Sequence, residues 1–185
     1  MKSQMSITKI SEEEILKSKP TVSEVRLRKR SPIFAVFDNV RSMYNVGAMF
    51  RSSDAALVSQ VFLTGITGKP PHKDIDKSAL GATDVVPWQY VRTGADAVRE
   101  LKAGGVFIVA LELTKQSVPY CEMNYQFPIC LIAGNEIGGV SDELLTLCDA
   151  AIDIPMLGRA NSLNVSTAYG IALFEILHNY KNSNV

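Results

Sequence analysis

Three short segments of this sequence concentrate side chains that can do chemistry. "NVRSMYNVGAMFRSSDA" carries Asn45 and, six residues on, Arg51. "NEIGGVSDE" carries Asn135 and Glu136 among Gly134, Gly138 and Gly139. "MLGRANSLNVSTA" carries Arg159, Asn161, Ser162 and Asn164. A carboxylate that only accepts, amides that do both, a hydroxyl and a guanidinium together suit the holding of a hydroxyl or a phosphate. Each segment directly follows an apolar run: "IFAVFD", "ICLIAG" and "AIDIP". One such loop would merely turn the chain. Three on one edge of one sheet imply a shared site. For Arg51 the competing reading is a surface side chain paired with Asp54.

Other chemistries lack their signatures. No GxGxxG follows a strand, so the dinucleotide fingerprint is absent. "GITGKPP" has a Gly-Lys pair without the spacing or the hydroxyl of a phosphate-binding P-loop. His72 and His178 lie far apart and have no companion ligands, so no metal site is expected. Three cysteines, Cys121, Cys130 and Cys148, show no CxxC spacing. They read as buried apolar thiols in a reducing cytoplasm.

The elements that must position these residues alternate along the chain. "IFAVFD", "QVFLTG", "VFIVALEL", "FPICLIAG" and "AAIDIPM" read as strands, with "VVPWQYV" as a shorter one. Helices are expected from near Asn45, over "GADAVRELKAGG", over "SDELLTLCD" opened by a Ser cap, and over "SLNVSTAYGIALFEILHNY" at the end. "GITGKPPHKDIDK" reads as a loop. Near-continuous apolar strands separated by helices predict an α/β fold: a mostly parallel sheet with helices on both faces. Ligands in such sheets sit beyond the carboxyl ends of the strands.

With 185 residues, 46% of them hydrophobic, the chain can bury one domain's core. Its longest apolar runs are too short to cross a bilayer, and its first residues contain no signal-peptide stretch, so no membrane association is expected. The 19 basic and 19 acidic side chains cancel, but not evenly along the chain. Residues 1–30 hold 8 Lys and Arg against 4 Glu, 8 − 4 = +4, which leaves −4 for residues 31–185. Residues 1–30 therefore read as a basic extension beside a catalytic domain at 31–185. A short helix there, "SEEEILKSK", is capped by Ser11 with Glu14 completing a capping box, and a polar tether follows. Arg26, Arg28, Lys29 and Arg30 end the extension and suit a polyanion.

The ordered triple "DNVRSMYNVGAMFRSSDA", "IAGNEIGGVSDE" and "IPMLGRANSLNVSTAYGIALFE" resembles the SPOUT superfamily of methyltransferases, in its TrmH (SpoU) branch. The resemblance spans about residues 33–180. Gly134, Ile154 and Leu163 stand 20 and 9 residues apart, as the branch places its cofactor contacts. It implies an S-adenosylmethionine-dependent RNA ribose 2′-O-methyltransferase acting on tRNA or rRNA, a C-terminal trefoil knot, and a homodimer. The apolar girth of the last helix is compatible with the dimer.

By that resemblance Leu111, Gly134, Asn135, Gly138, Ile154, Pro155, Met156 and Leu163 hold the cofactor, with the glycines admitting backbone close to the ligand. Asn45, Arg51, Glu136, Ser162 and Asn164 form the catalytic set, with Glu136 orienting Arg51 or Asn45. Arg51 receives the decisive role. Because guanidinium keeps its proton, that role is read as phosphate binding and stabilisation of the developing alkoxide. Arg41 and Arg159, with the basic extension, would meet RNA. The branch's N-terminal ribosomal-protein-type domain has no counterpart in these thirty residues. A non-catalytic RNA-binding relative is the alternative.

Overall fold

The computed structural model describes residues 7–183. Seven strands form one parallel sheet: β1 Ser31–Asp38, β2 Val58–Thr64, β3 Trp88–Val91, β4 Phe107–Leu111, β5 Val118–Pro119, β6 Ile129–Ala133 and β7 Ala150–Asp153. Their order across the sheet is β3-β2-β1-β6-β4-β7-β5. Central β6 is buried along its whole length, as a strand covered on both faces must be. The two-residue β5 was not evident in the sequence.

Side chains alternating along each strand feed two cores. On one face Ile33, Ala35 and Phe37 of β1 pack with helices α3 (Met43–Ala55), α4 (Lys73–Ala79) and α7 (Val165–Asn182). Phe37 meets Phe50 of α3 and Tyr169 of α7 edge-on, at ring-centre distances of 5.9 and 5.2 Å. On the other face Val36 packs with α5 (Gly94–Ala103) and α6 (Asp142–Leu145). The two-faced sandwich expected from the sequence is therefore present. All registers are parallel, so the loops following β1, β2, β6 and β7 leave from one edge.

Several local expectations are corrected. Helix α1 (Glu12–Ser18) has the predicted capping box at Ser11, but the tether after it contains a second helix, α2 (Val22–Leu27). Its own box is Thr21 with Glu24, a T-x-x-E signature present in the sequence. Val25 seats α2 on the first core. The loop after β2 stops at His72, whose Nδ1 accepts from Asp74 N at 3.2 Å and so caps α4. Ser141 precedes α6 without a side-chain cap bond. Helix α7 begins only at Val165 with Asn164 as its cap, which leaves Ser162 and Leu163 in the preceding loop. Cys130 is buried and Cys148 half-buried, but Cys121 is exposed, because it lies in the turn beyond β5 rather than on a strand. Burial pushes the Cys148 thiol up to about 12, so it is no thiolate nucleophile at neutral pH. No helix among the described residues is long and apolar enough to cross a membrane.

Candidate active site

β1 and β6 are neighbours, with Phe37 opposite Ala133, so the loops that follow them run side by side. The second loop is tightly folded. Asn135 and Gly139 exchange two backbone hydrogen bonds of 2.9 Å. Asn135 Oδ1 accepts from Ile137 N at 2.9 Å and Gly138 N at 3.0 Å. Its Nδ2 donates to Asn39 O at 2.8 Å, which ties this loop to the one after β1. Gly139 has φ +66°, and a Cβ on Gly134 would collide with the Gly139 backbone. Both positions therefore require glycine, one for conformation and one for close approach. A Cβ on Gly138 would meet only Asn135 Oδ1, in ordinary van der Waals contact at 3.9 Å.

This loop projects Glu136 over the start of α3. Oε2 accepts from Arg41 N at 2.9 Å, and Oε1 accepts from Ser42 N at 2.9 Å and Asn45 Nδ2 at 2.8 Å. A carboxylate at a helix N-terminus meets both the unpaired amides and the favourable end of the dipole. Partial burial pushes its pKa up. The donated bonds from Arg41, Ser42 and Asn45 together outweigh that and hold it below the ordinary carboxylate value. At neutral pH the group is ionised and only accepts.

The network continues. Asn45 Oδ1 accepts from Asn164 Nδ2 at 3.1 Å. Asn164 Oδ1 accepts from Ser166 N at 2.9 Å and Ser166 Oγ at 2.6 Å. Each amide thus has its orientation fixed by a partner that can only donate or only accept. Helix α7 is held against α3 by Tyr169, whose hydroxyl lies 2.7 Å from Ser53 Oγ. Ser53 already donates to Met49 O at 2.8 Å, so Tyr169 is the donor.

Glu136, Ser162 and Asn164 stand on the wall of a cleft of about 1000 Å³. Leu111, Gly134, Asn135, Ile154, Met156 and Leu163 of the expected cofactor set line it as well. Pro155 and Gly138 fall outside the wall. Ala133, Ile137 and Val165 add apolar surface. Apolar side chains, crowded backbone and the carboxylates of Glu112, Glu136 and Asp153 fit a ligand with an aromatic ring and positive charge. Glu112, one of these carboxylates, was missed in the sequence. Its signal was available, because it follows the apolar run of β4 at the edge where ligands bind. Glu112 Oε2 accepts from Val140 N at 2.9 Å and Oε1 from Leu113 N at 3.1 Å.

Arg51 stands apart from this network. Six residues beyond Asn45 on α3, it lies about 9 Å farther along the axis at 1.5 Å per residue. It is exposed and makes no hydrogen bond or ion pair among the described residues. Glu136 holds Asn45 and not Arg51. The pairing with Asp54 is absent, since the charges acting on that carboxyl are Arg30 and Arg28. Arg41 and Arg159 are exposed near the cleft mouth. In the extension, Arg26 directs Nε and Nη2 at Asp84 O, at 2.9 and 2.6 Å. Arg30 donates to Val58 O at 3.0 Å and to Val85 O. These two guanidiniums fasten α2 and the segment after it to the rest of the fold, while Arg28 and Lys29 are exposed. No cluster of His, Cys, Asp or Glu suited to a metal occurs among the described residues.

Residues 32–174, most of the chain, match the SpoU rRNA Methylase family. The chain belongs to this family. A crystal structure of an A. aeolicus TrmH/SpoU tRNA modifying enzyme is similar, with TM-score 0.80 and 34% identity over 88% of this chain and 84% of that one. An AdoMet-bound rRNA methyltransferase from Sinorhizobium meliloti superposes with TM-score 0.76 at 33% identity, covering 83% of this chain and 59% of that one. Among curated SpoU relatives, the tRNA (guanosine(18)-2′-O)-methyltransferase of Aquifex aeolicus (strain VF5) is 39% identical over 80% of this chain and 71% of its own. The Escherichia coli (strain K12) protein of the same description is 32% identical over 88% and 70%.

Proposed function

We propose that this chain methylates the 2′-hydroxyl of a ribose in tRNA, with S-adenosylmethionine as donor. The observation that carries the proposal is the Glu136–Asn45–Asn164 network at the mouth of a cleft that also exposes Ser162. The tRNA assignment draws on the curated relatives named for that substrate.

When bound, the cofactor supplies a methyl group on positively charged sulfur, which leaves as a neutral thioether. Leu111, Ile154, Met156 and Leu163 would form the walls around its adenosine, and the backbone of Gly134 and Asn135 the polar edge. The rest is done by the chain. A ribose hydroxyl must be held in line and must lose its proton. Ser162 and Asn164 position that hydroxyl, and positioning alone supplies a large part of such a rate. Glu136 acts through Asn45, whose amide it fixes. The Arg51 guanidinium is a donor with no acceptor. It binds a phosphate of the RNA and stabilises the charge that develops on oxygen, while the proton leaves to phosphate or water.

The same reading takes the protein as a cytoplasmic homodimer. Arg51 then lies on a surface that a partner and its RNA can complete, and Phe174, 48% exposed on α7, offers apolar surface for the pairing. The test is transfer of labelled methyl from S-adenosylmethionine to unmodified tRNA and rRNA transcripts, with the ribose mapped afterwards. Methylation at a tRNA 2′-oxygen is expected. Label on rRNA alone overturns the tRNA assignment, and label on a base overturns the ribose chemistry.

A further inference from the structure

The loop after β2 is built to hold an aromatic ring at the rim of the site. Tyr90, next to the end of β3, is 41% exposed, and its hydroxyl donates to Gly65 O at 3.1 Å. Lys69 Nζ stands 4.3 Å from the centre of its ring. The loop carrying Lys69 is fixed at two points. Gly65 has φ +59° and abuts the Asn39 side chain, whose Oδ1 accepts from Ile66 N at 3.2 Å. Gly68 is packed so closely on Met43 of α3 that a Cβ there would meet the sulfur.

Those anchors connect the ring to the catalytic network. Asn39 O receives the Asn135 bond in the loop that presents Glu136, and Met43 lies two residues before Asn45. Across the sheet Tyr90 pairs in register with Leu63, and β2 in turn with β1. Two strand spacings put the Tyr90 backbone about 10 Å from the β1 column. Ile66, 65% exposed, and the exposed Arg92 occupy the same rim. Neither Lys69 nor Arg92 forms an ion pair with a carboxylate among the described residues. A preset aromatic ring with unpaired cations beside it is the chemistry that holds a single-stranded nucleotide, by stacking on the base and by charge on the phosphate.

We infer that Tyr90 and Lys69 form a stacking platform for a nucleotide flanking the methylated ribose. The ring takes the base and the Lys69 ammonium takes that nucleotide's phosphate. The target loop is therefore bound unstacked, as single-stranded RNA is when bases are read by aromatic side chains. This inference rests on the RNA-methyltransferase reading and extends it to substrate recognition.

The test compares Tyr90→Leu, Tyr90→Phe and Lys69→Gln with the wild type, using fluorescent oligouridylate and an unmodified tRNA transcript as probes. Tyr90→Leu should weaken both RNAs about tenfold, within the range for one stacked base. Tyr90→Phe keeps the ring and should bind within about twofold of wild type on the same scale. Lys69→Gln should lower the salt dependence of binding by about one phosphate contact. S-adenosylmethionine affinity, read by calorimetry, should be the same in all four proteins. Wild-type RNA affinity in Tyr90→Leu overturns the platform. So does an equal loss in Tyr90→Phe, which would assign the effect to the hydroxyl that braces Gly65. Loss of cofactor binding in Tyr90→Leu overturns it too, by making the ring structural. If wild type binds RNA with this pattern of variants but transfers no methyl group, the function proposed above fails and the platform stands.

Discussion

Asn164 Nδ2 donates to Asn45 Oδ1 at 3.1 Å, joining two segments 119 residues apart in the chain. The bond has a direction. Asn45 Nδ2 is committed to Glu136 and Asn164 Oδ1 to Ser166, so neither amide can flip without losing a partner. Asn164→Asp keeps the helix cap but turns an acceptor toward an acceptor. Methyl transfer should fall about 10²-fold, the scale of a misplacement near 1 Å. Cofactor affinity by calorimetry should hold, and unchanged turnover would refute the positioning role.

Arg51 gives a different pattern because nothing among the described residues holds it. Arg51→Ala removes no hydrogen bond from the fold, so the melting temperature should not move and cofactor should still bind. Methyl transfer should be abolished. Arg51→Lys should recover only part of the activity, since an ammonium lacks the planar fork that grips phosphate. Wild-type turnover in the alanine variant would return Arg51 to the status of a solvated side chain.

Glu136 makes the site sensitive to acid. Its carboxyl sits below the ordinary carboxylate value when folded, so its stabilising bonds are fully present above the unfolded pKa of 4.5 and are lost as pH falls through the folded value. Glu136→Gln cannot accept from three N–H groups with one carbonyl oxygen. The variant should therefore melt below wild type at pH 7, and the gap should close as pH drops beneath the carboxylate range. A gap that is constant with pH would mean the ionised form contributes nothing.

The layers of the fold were legible because the strands are nearly continuous apolar runs, and the meeting of the candidate site's loops was legible because polar loops follow three of them. What stayed hidden has physical reasons. The order β1-β6-β4-β7 depends on which apolar runs pair, and Ile33 and Ile129 look alike in sequence. Helix α4 was obscured by the Pro70-Pro71 breaker and opened by a histidine cap, an uncommon choice. Arg26 and Arg30 are cations whose carbonyl partners lie 58 and 28 residues away, which composition does not encode. The trefoil knot stays an expectation of the resemblance alone, because no local pattern specifies a thread.

Tyr169 and Ser53 set the seat of α7, and with it Asn164. Burial pushes the Tyr169 hydroxyl far above its ordinary value, so it stays a donor at every working pH. Tyr169→Phe loses one bond and should cost about 1 kcal/mol. Ser53→Ala leaves the same hydroxyl buried without its acceptor and should cost more, about 1–3 kcal/mol. Thermal melts of both single variants and the double variant check this. Equal losses from the two single changes would show that the tyrosine hydroxyl finds another partner.

Glu112 lines the cleft proposed to take the cofactor, with a carboxylate whose two known bonds both come from backbone amides. Those bonds brace Val140 and therefore Gly139, and a Cβ on Gly139 would collide with the carboxylate. The group still has free lone pairs, since a carboxylate offers about four acceptor sites. The donors that S-adenosylmethionine can offer it are an ammonium, the ribose hydroxyls and the adenine amino group. Glu112→Gln retains the shape and replaces one acceptor by a donor, so cofactor affinity should fall about tenfold, within the range for a charge-assisted hydrogen bond. Calorimetry with the cofactor and with adenosine separates the sources. An equal loss for both places the carboxylate at the adenosine moiety, and a loss for the cofactor alone places it at the ammonium or sulfonium charge. Unchanged affinity for both would leave Glu112 as a staple for Gly139 and nothing more.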